Sequence, residues 1–457
     1  MAELEPMYAD PARWLLPGDP QSAAAALTTQ FREVYGAAPA GVYFAPGRAN
    51  LNGEHIDFHG GRCLPMALPH GTFVAAAPRS DGTLRLRTLD PELDTGVVRI
   101  DDAAADPSPQ TAPSWTTYVA GVLWALSQVG AERPELHLAP GFGADMLICS
   151  TLPIGGGLSS SASLECAAAL AFTALGSPLG ADHPGDDLTS ALTDEHRALL
   201  AEACIRAEVE AVGAGTGGLD QNTALRAEAG KLVSLDCRDF SVARMDLTML
   251  LEDYCFVAVD TGQPHELADG QFADRRAEAE AAAAVLGVNR QEAGRMRDLL
   301  PENPSEHDVD SLLETFDRSA AEGAGMSGLD AAACRHRLKH ALTEMLRSEE
   351  LHQIFTDLAH GAAVPDRAAE AVGRILTQGH ASMRDYAQVS FPLADETVAA
   401  VLTSGALGAR LIGGGFGGSV LVLAPRSQVQ QITTAVARLS PAIRFLETFP
   451  SASARVV

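Results

Sequence analysis

Short apolar runs bounded by Gly and Pro alternate, without regular order, with longer stretches of helical periodicity. The run Gly41–Ala45 predicts a strand that stops at the Pro46–Gly47 break, and Phe73–Ala77 and Leu84–Thr88 predict two more. Residues 101–113, DDAAADPSPQTAP, read as a loop. After Ser114, residues Trp115, Tyr118, Val119, Val122 and Leu123 share one face of a predicted helix. A strand at Ala144–Cys149 leads through a Gly-rich turn into an Ala/Leu-rich helix, Ser160–Leu175. Residues 176–195 read as a polar surface excursion, and Thr193–Ala211 as a helix ended by Gly213. Further along, Tyr254–Val259 predicts a buried strand and Asp274–Leu286 a helix. Two or three helices follow between Ser311 and Gln378, then Arg410–Ile412, a Gly cluster and a strand at Ser419–Ala424. No internal repeat is visible, and the irregular order predicts α+β layers rather than a doubly wound sheet. The size of the chain, 457 residues, favours two domains, placed at residues 20–230 and 231–457.

Composition narrows the function. With 46% hydrophobic residues the chain can bury large cores, so wholesale disorder is excluded. A formal charge of −26 gives no general attraction for nucleic acid or anionic membrane, and neither is expected as a partner. Among the 33 basic residues, the lysines are Lys231 and Lys339. Neither stands in a Gly-Lys-Ser/Thr loop or in a kinase-type strand, which excludes P-loop enzymes and protein kinases. Seven scattered cysteines without a Cys-x-x-Cys pair point to a reducing, cytoplasmic setting. The acidic start, MAELEPMYAD, lacks the apolar core of a signal peptide, and the most apolar stretch, Leu164–Leu175, is too short to span a bilayer.

Three segments carry candidate chemistry. In LPIGGGLSSSAS, Gly155, Gly156 and Gly157 let backbone approach a bulky ligand, and Leu158, Ser159, Ser160 and Ser161 lead into a helix. Unpaired N–H groups and the positive helix end favour an anion there without any lysine, although an ordinary turn with a Ser N-cap has the same letters. PGRANLNGEHIDFHGG crowds Arg48, Asn50, Asn52, Glu54, His55, Asp57 and His59 together, a donor and acceptor set suited to sugar hydroxyls. His55 and His59 have the i,i+4 spacing of a metal pair, but no third ligand accompanies them. In ARLIGGGFGGSVLVLA, Gly413, Gly415 and Gly418 match the dinucleotide pattern, yet a β-rich segment follows instead of a helix. These glycines are expected to let backbone pass close to another loop or to a ligand.

Together, in this order, the three segments resemble the signature motifs of the GHMP sugar and metabolite kinases, and the first is most similar to the galactokinase branch. The resemblance implies a two-domain α+β GHMP kinase fold. Its N-terminal domain would be ribosomal-S5-domain-2-like and its C-terminal domain ferredoxin-like, with ATP, Mg²⁺ and sugar in the cleft. It implies transfer of the γ-phosphate to the anomeric hydroxyl of galactose, by a monomeric chain. Asp220, in AGTGGLDQ, would be the catalytic aspartate and Arg48 its arginine. Glu54, His55, Asp57 and Gly217 would border the sugar. Residues Gly155–Ser161 would hold ATP, with Trp115 stacked on adenine, and Ser161 and Glu208 would hold Mg²⁺. Phe58 stands where the family has Tyr, Asn52 where it has Ile, and Phe272 aligns with a sugar-facing Tyr. Thr216 and Gly218 replace common Cys and Ile, and Ile56 is shared with N-acetylgalactosamine kinases. Alternative expectations are therefore an N-acetylgalactosamine or other hexose-derivative kinase, or a sensor that binds ATP and sugar without turnover.

Overall fold

A computed structural model describes residues 13–94, 96–101, 114–264, 270–288, 294–323, 325–326 and 328–457. The loop expected over 101–113 lies almost entirely outside the described residues. Among the described residues, thirteen strands run in chain order: β1 Gly41–Asn50, β2 Arg62–Cys63, β3 Pro65–Arg79, β4 Leu84–Thr88, β5 Val98–Ile100, β6 Gly143–Ser150, β7 Lys231–Asp236, β8 Ser241–Asp246, β9 Tyr254–Asp260, β10 Gly408–Ile412, β11 Ser419–Pro425, β12 Arg444–Thr448 and β13 Arg455–Val456. They form a six-stranded sheet β13-β1-β3-β6-β4-β5, a four-stranded sheet β10-β11-β9-β12 and a small sheet β2-β7-β8.

Alternation along the strands sorts the side chains of the first sheet. Tyr43, Ala45, Val74 and Ile148 face the helices Trp115–Glu132 and Ser160–Gly176, whereas Val42, Phe44, Phe73 and Leu147 face the helix Pro20–Tyr35. The register Tyr43↔Val74 and Phe44↔Phe73 keeps both sets in phase. The second sheet does the same. Phe256, Ala258, Leu421 and Leu423 pack towards the helices Ala331–Ala359 and Pro365–Ser382, and Val257, Val259, Val420 and Val422 towards Val398, Ile432 and Val436. The architecture is α+β, as expected. The chain's last strand, β13, returns to pair with β1 in the first sheet.

Three expectations need correction. Strand β1 does not stop at Pro46–Gly47: a register shift between Pro46 and Arg48 absorbs the proline, and pairing resumes at Arg48↔Ala67. That extension brings Arg48 and Asn50 to the strand's end. Residues 176–195 are more than a polar excursion. Two short helices, Pro178–Asp182 and Asp187–Ala191, form there, and Leu179, Leu188 and Leu192 are buried against the first core. The helix over 193–211 changes type. It is α-helical over Asp194–Arg206 and π-helical over Ala207–Val212, and it ends at Gly213 with φ of 79°. The π turn re-aims the residues that follow Arg206, Glu208 among them.

Candidate active site

Three chain segments converge where the two larger sheets meet. Strand β1 delivers Arg48, the turn after β6 delivers the Gly155–Ser159 loop, and the helix Leu219–Arg226 carries Asp220 in its first turn. Arg48 Nε donates to Asp220 Oδ1 at 2.7 Å and Nη2 to Oδ2 at 3.2 Å. Its third nitrogen, Nη1, donates to Gly157 O at 2.7 Å. The guanidinium is therefore a bridge between the glycine loop and the aspartate, with its side chain 7% exposed against 24% for Asp220. Ser159 Oγ also donates to Asp220 Oδ2, at 2.5 Å. Ser159 itself is the N-cap of the Ser160–Gly176 helix, with φ of 60°. The first N–H groups of that helix thus open beside the Arg48–Asp220 pair, an arrangement suited to phosphate oxygens.

The expected ligand residues fall into two groups around this pair. On one side, Ser161 lies beside Glu208, whose carboxyl is pushed up to about 7 by burial and by the Asp220 charge. On the other, Asp57 Oδ2 accepts from Gly217 N at 3.1 Å. Burial, and then the Asp220 charge, push the Asp57 carboxyl up to about 6. Gly217 has to be glycine here, because a Cβ would come within 2.4 Å of both Asp57 Cγ and Phe58 N. His55 turns through a positive φ of 62° and places its ring 5.0 Å from that of Phe272. Its Nε2 lies 3.0 Å from Gly414 O of the third glycine segment. Phe58 stands 5.9 Å from Phe272, with the Arg276 guanidinium 4.9 Å above its ring. A cavity of about 690 Å³ is lined by Asp57, Phe58, Thr216 and Gly217 and continues to Arg276 and Glu280.

Glu54 sits deeper. Its Oε1 accepts from Gly413 N at 2.9 Å, its Oε2 accepts from Asn50 Nδ2, and Arg410 approaches to 3.8 Å. Burial pushes its carboxyl up to about 7, against the pull of Arg410 and Arg48. Trp115, the first residue of its helix, is half-buried against the first core. The third glycine segment passes close to the Gly155–Ser159 loop, one of its two expected uses. A Cβ on Gly413 would meet Gly157 O at 2.9 Å, and Ser419 Oγ donates to Gly156 O at 2.6 Å.

Sequence reasoning missed two parts of this region. One is a pair of buried side chains, Glu165 and Gln221, that sit behind Glu208. The signal for Glu165 was present, since a lone acid inside SSASLECAAAL has to be buried and partnered. The other is a buried ionic cluster under the sugar motif. Arg410 donates to Glu344 Oε1 at 2.8 Å, to Asn52 Oδ1 at 2.6 Å and to Leu51 O at 3.2 Å. Asn52 in turn donates to Ser348 Oγ at 2.8 Å and Glu344 O at 3.1 Å. This explains a polar residue where the motif usually has Ile: its amide is fully used inside the protein.

Comparison with known proteins decides among the readings. The galactokinase galactose-binding signature matches residues 29–78, the segment that holds Arg48, Glu54, His55 and Asp57. The galactokinase of Streptomyces coelicolor is 38% identical over 440 residues, covering 95% of this chain and 99% of that one. The chain belongs to the galactokinase family. The wider GHMP kinase domains agree with this membership, the N-terminal one matching residues 117–228 and the C-terminal one residues 362–442. Among solved structures, the galactokinase of Lactococcus lactis, in complex with galactose, superposes with a TM-score of 0.73 at 26% identity. That match covers 94% of this chain and 98% of that one. The mevalonate kinase of Methanococcus jannaschii shares the fold, with a TM-score of 0.53 at 16% identity over 91% of this chain. The two-domain GHMP kinase fold implied by the motifs is thereby established. Among the described residues, no helix is long and apolar enough to cross a membrane.

Proposed function

We propose that the protein phosphorylates D-galactose with ATP at the anomeric hydroxyl, giving galactose 1-phosphate. The observation that carries this reading is the bidentate Arg48–Asp220 pair, set at the mouth of the phosphate loop and within reach of the galactose-binding signature. Phosphoryl transfer passes through a loose transition state, so positioning and charge stabilisation supply most of the rate. Asp220 orients the attacking hydroxyl and accepts its proton late, as the bond to phosphorus forms. Arg48 holds that carboxylate in place through two hydrogen bonds and balances charge developing beside Gly157. Amides of Gly155–Ser161 cradle the phosphates, and Trp115 borders the adenine. In this reading Asp57, Gly217, Glu54, His55 and Phe272 border the sugar.

The residues present fit Mg²⁺. Ser161 and Glu208 offer hard oxygen donors at a helix N-terminus, and the carboxyl that burial holds near 7 gains from a neighbouring cation. Such a small protein donor set suits a cation whose other ligands are phosphate oxygens and water. When bound, the cation would neutralise charge on the transferring phosphate. The same reading has a monomeric chain working in the cytoplasm, and its seven free cysteines are compatible with a reducing compartment. Neither a different hexose acceptor nor a non-catalytic sensor is favoured by the galactokinase matches. The test is ADP release across a panel of free sugars, with the product identified by phosphorus NMR. Galactose leads the panel and carries the phosphate on its anomeric oxygen if the reading is right; phosphate on the primary hydroxyl overturns it.

A further inference from the structure

One buried amide joins the phosphate-loop helix, the candidate cation carboxylate and the base. Gln221 follows Asp220 in the first turn of its helix and is fully buried. Its Nε2 donates to two carboxylates at once, Glu208 Oε2 at 2.6 Å and Glu165 Oε2 at 3.0 Å. Glu165, also fully buried, lies one helical turn beyond Ser161 on the phosphate-loop helix, and its Oε1 has no hydrogen-bond partner. On its other side, Gln221 Oε1 accepts from Thr216 Oγ1 at 3.4 Å, in the loop that leads to Gly217.

Two carboxylates so close repel each other, and a buried carboxylate without a donor is costly. A single NH₂ group with two hydrogens resolves both problems, because each hydrogen serves one acid. Glu165 cannot move, being enclosed in the Ala-rich helix, so it fixes Gln221, and Gln221 in turn fixes Glu208. Without that amide, Glu208 would be free to swing away from Glu165, and so from Ser161 beside it.

We propose that Gln221 and Glu165 are positioning residues that hold Glu208 beside Ser161 in the arrangement that receives cation-bound nucleotide. This inference rests on the kinase reading above. Groups that orient a metal-binding side chain commonly change metal affinity by about 10–100-fold when removed. Gln221→Met keeps the volume and deletes the amide; Glu165→Leu deletes the anchor; Glu165→Gln keeps an oxygen that can accept from Gln221.

The test is calorimetric binding of Mn²⁺·ATP to each full-length variant without sugar, alongside galactose binding without nucleotide. Gln221→Met and Glu165→Leu are expected to weaken Mn²⁺·ATP binding about 10–100-fold, with galactose affinity changed less than about threefold. Glu165→Gln is expected to regain most of the affinity lost in Glu165→Leu. Should Gln221→Met fail to fold, the two Glu165 variants still decide the matter. Equal loss of nucleotide and galactose binding would show a general packing role, and unchanged Mn²⁺·ATP affinity would show that Glu208 needs no such support. Either overturns the inference. Failure of the kinase reading is separate, since it appears as absent galactose turnover in the unmodified protein.

Discussion

Replacing Asp220 by Asn changes almost nothing in shape and removes one charge. The new amide oxygen can keep the 2.7 Å bond from Arg48 Nε, but its nitrogen cannot accept. Ser159 Oγ and Arg48 Nη2, at 2.5 and 3.2 Å from Asp220 Oδ2, would therefore lose their acceptor. Hydrogen bonds to charged groups contribute about 1.5–3 kcal/mol each when well buried. Asp220 is a quarter exposed, which lowers that figure, so a total stability loss of about 1–3 kcal/mol is expected. The effect on chemistry is larger. Loss of a positioned acid or base group slows turnover by about 10²–10⁴-fold, equivalent to roughly 3–5.5 kcal/mol of barrier. Turnover thus collapses at temperatures where the variant remains folded. Coupled ADP release at saturating galactose measures the first effect, calorimetric ATP binding and a melting curve the others. ATP affinity should stay within about threefold, because the phosphate loop is built from other residues. Turnover within tenfold of the parent, or ATP binding lost in parallel, refutes Asp220 as the base.

Three further outcomes follow from the same geometry. Asp57, with its carboxyl near 6, accepts more strongly from sugar hydroxyls when ionised, so kcat/KM for galactose should fall as pH drops through about 6 and flatten in Asp57→Asn. The sign for stability is opposite: a carboxyl raised above its ordinary value favours folding when neutral, and that contribution is lost as pH rises from about 4 through 6, so melting curves should show Asp57→Asn gaining stability relative to the parent over that window. Arg410→Met removes the buried cation shared by Glu344 and Asn52, while Arg347 still pairs with Glu344, and should cost about 1.5–3 kcal/mol in denaturant unfolding; a loss below about 1 kcal/mol would show the cluster to be dispensable. Phe272→Tyr restores a hydroxyl next to His55, and galactose should bind tighter by about 0.5–1.5 kcal/mol with ATP affinity unchanged; weaker galactose binding would mean that the ring does not face the sugar.

What could be read from the sequence was local. Alternation marks the strand at Leu84–Thr88, because burial of one face leaves its period in the letters, whereas Ser419–Pro425 and the helix from Ser160 show as apolar runs buried on nearly all sides. The resemblance of the motifs to those of the GHMP kinases brought together Arg48, Asp57, Gly217 and Asp220. Less visible were places where tertiary contact overrides local signals. Pro46–Gly47 reads as a break, yet the strand continues through a bulge. Leu179, Leu188 and Leu192 are three apolar residues in a polar stretch, too sparse to suggest the short helices they anchor. Nor could the π turn be anticipated from the uninterrupted helical pattern over 193–211. The Arg410 cluster joins residues 358 positions apart at Asn52, and the Gln221 amide bridges two acids, Glu165 and Glu208, on separate helices. Such partners are set by the packing of distant segments and leave no period in the chain.

The account turns on which sugar oxygen meets Asp220. A crystal structure of the protein with galactose and a non-hydrolysable ATP analogue tests it directly. The anomeric hydroxyl is expected within about 2.6–3.2 Å of the Asp220 carboxylate, facing the γ-phosphate, with Asp57 and Gly217 N on other sugar hydroxyls. A primary hydroxyl at Asp220, or galactose bound away from the Arg48–Asp220 pair, would contradict the proposed reaction.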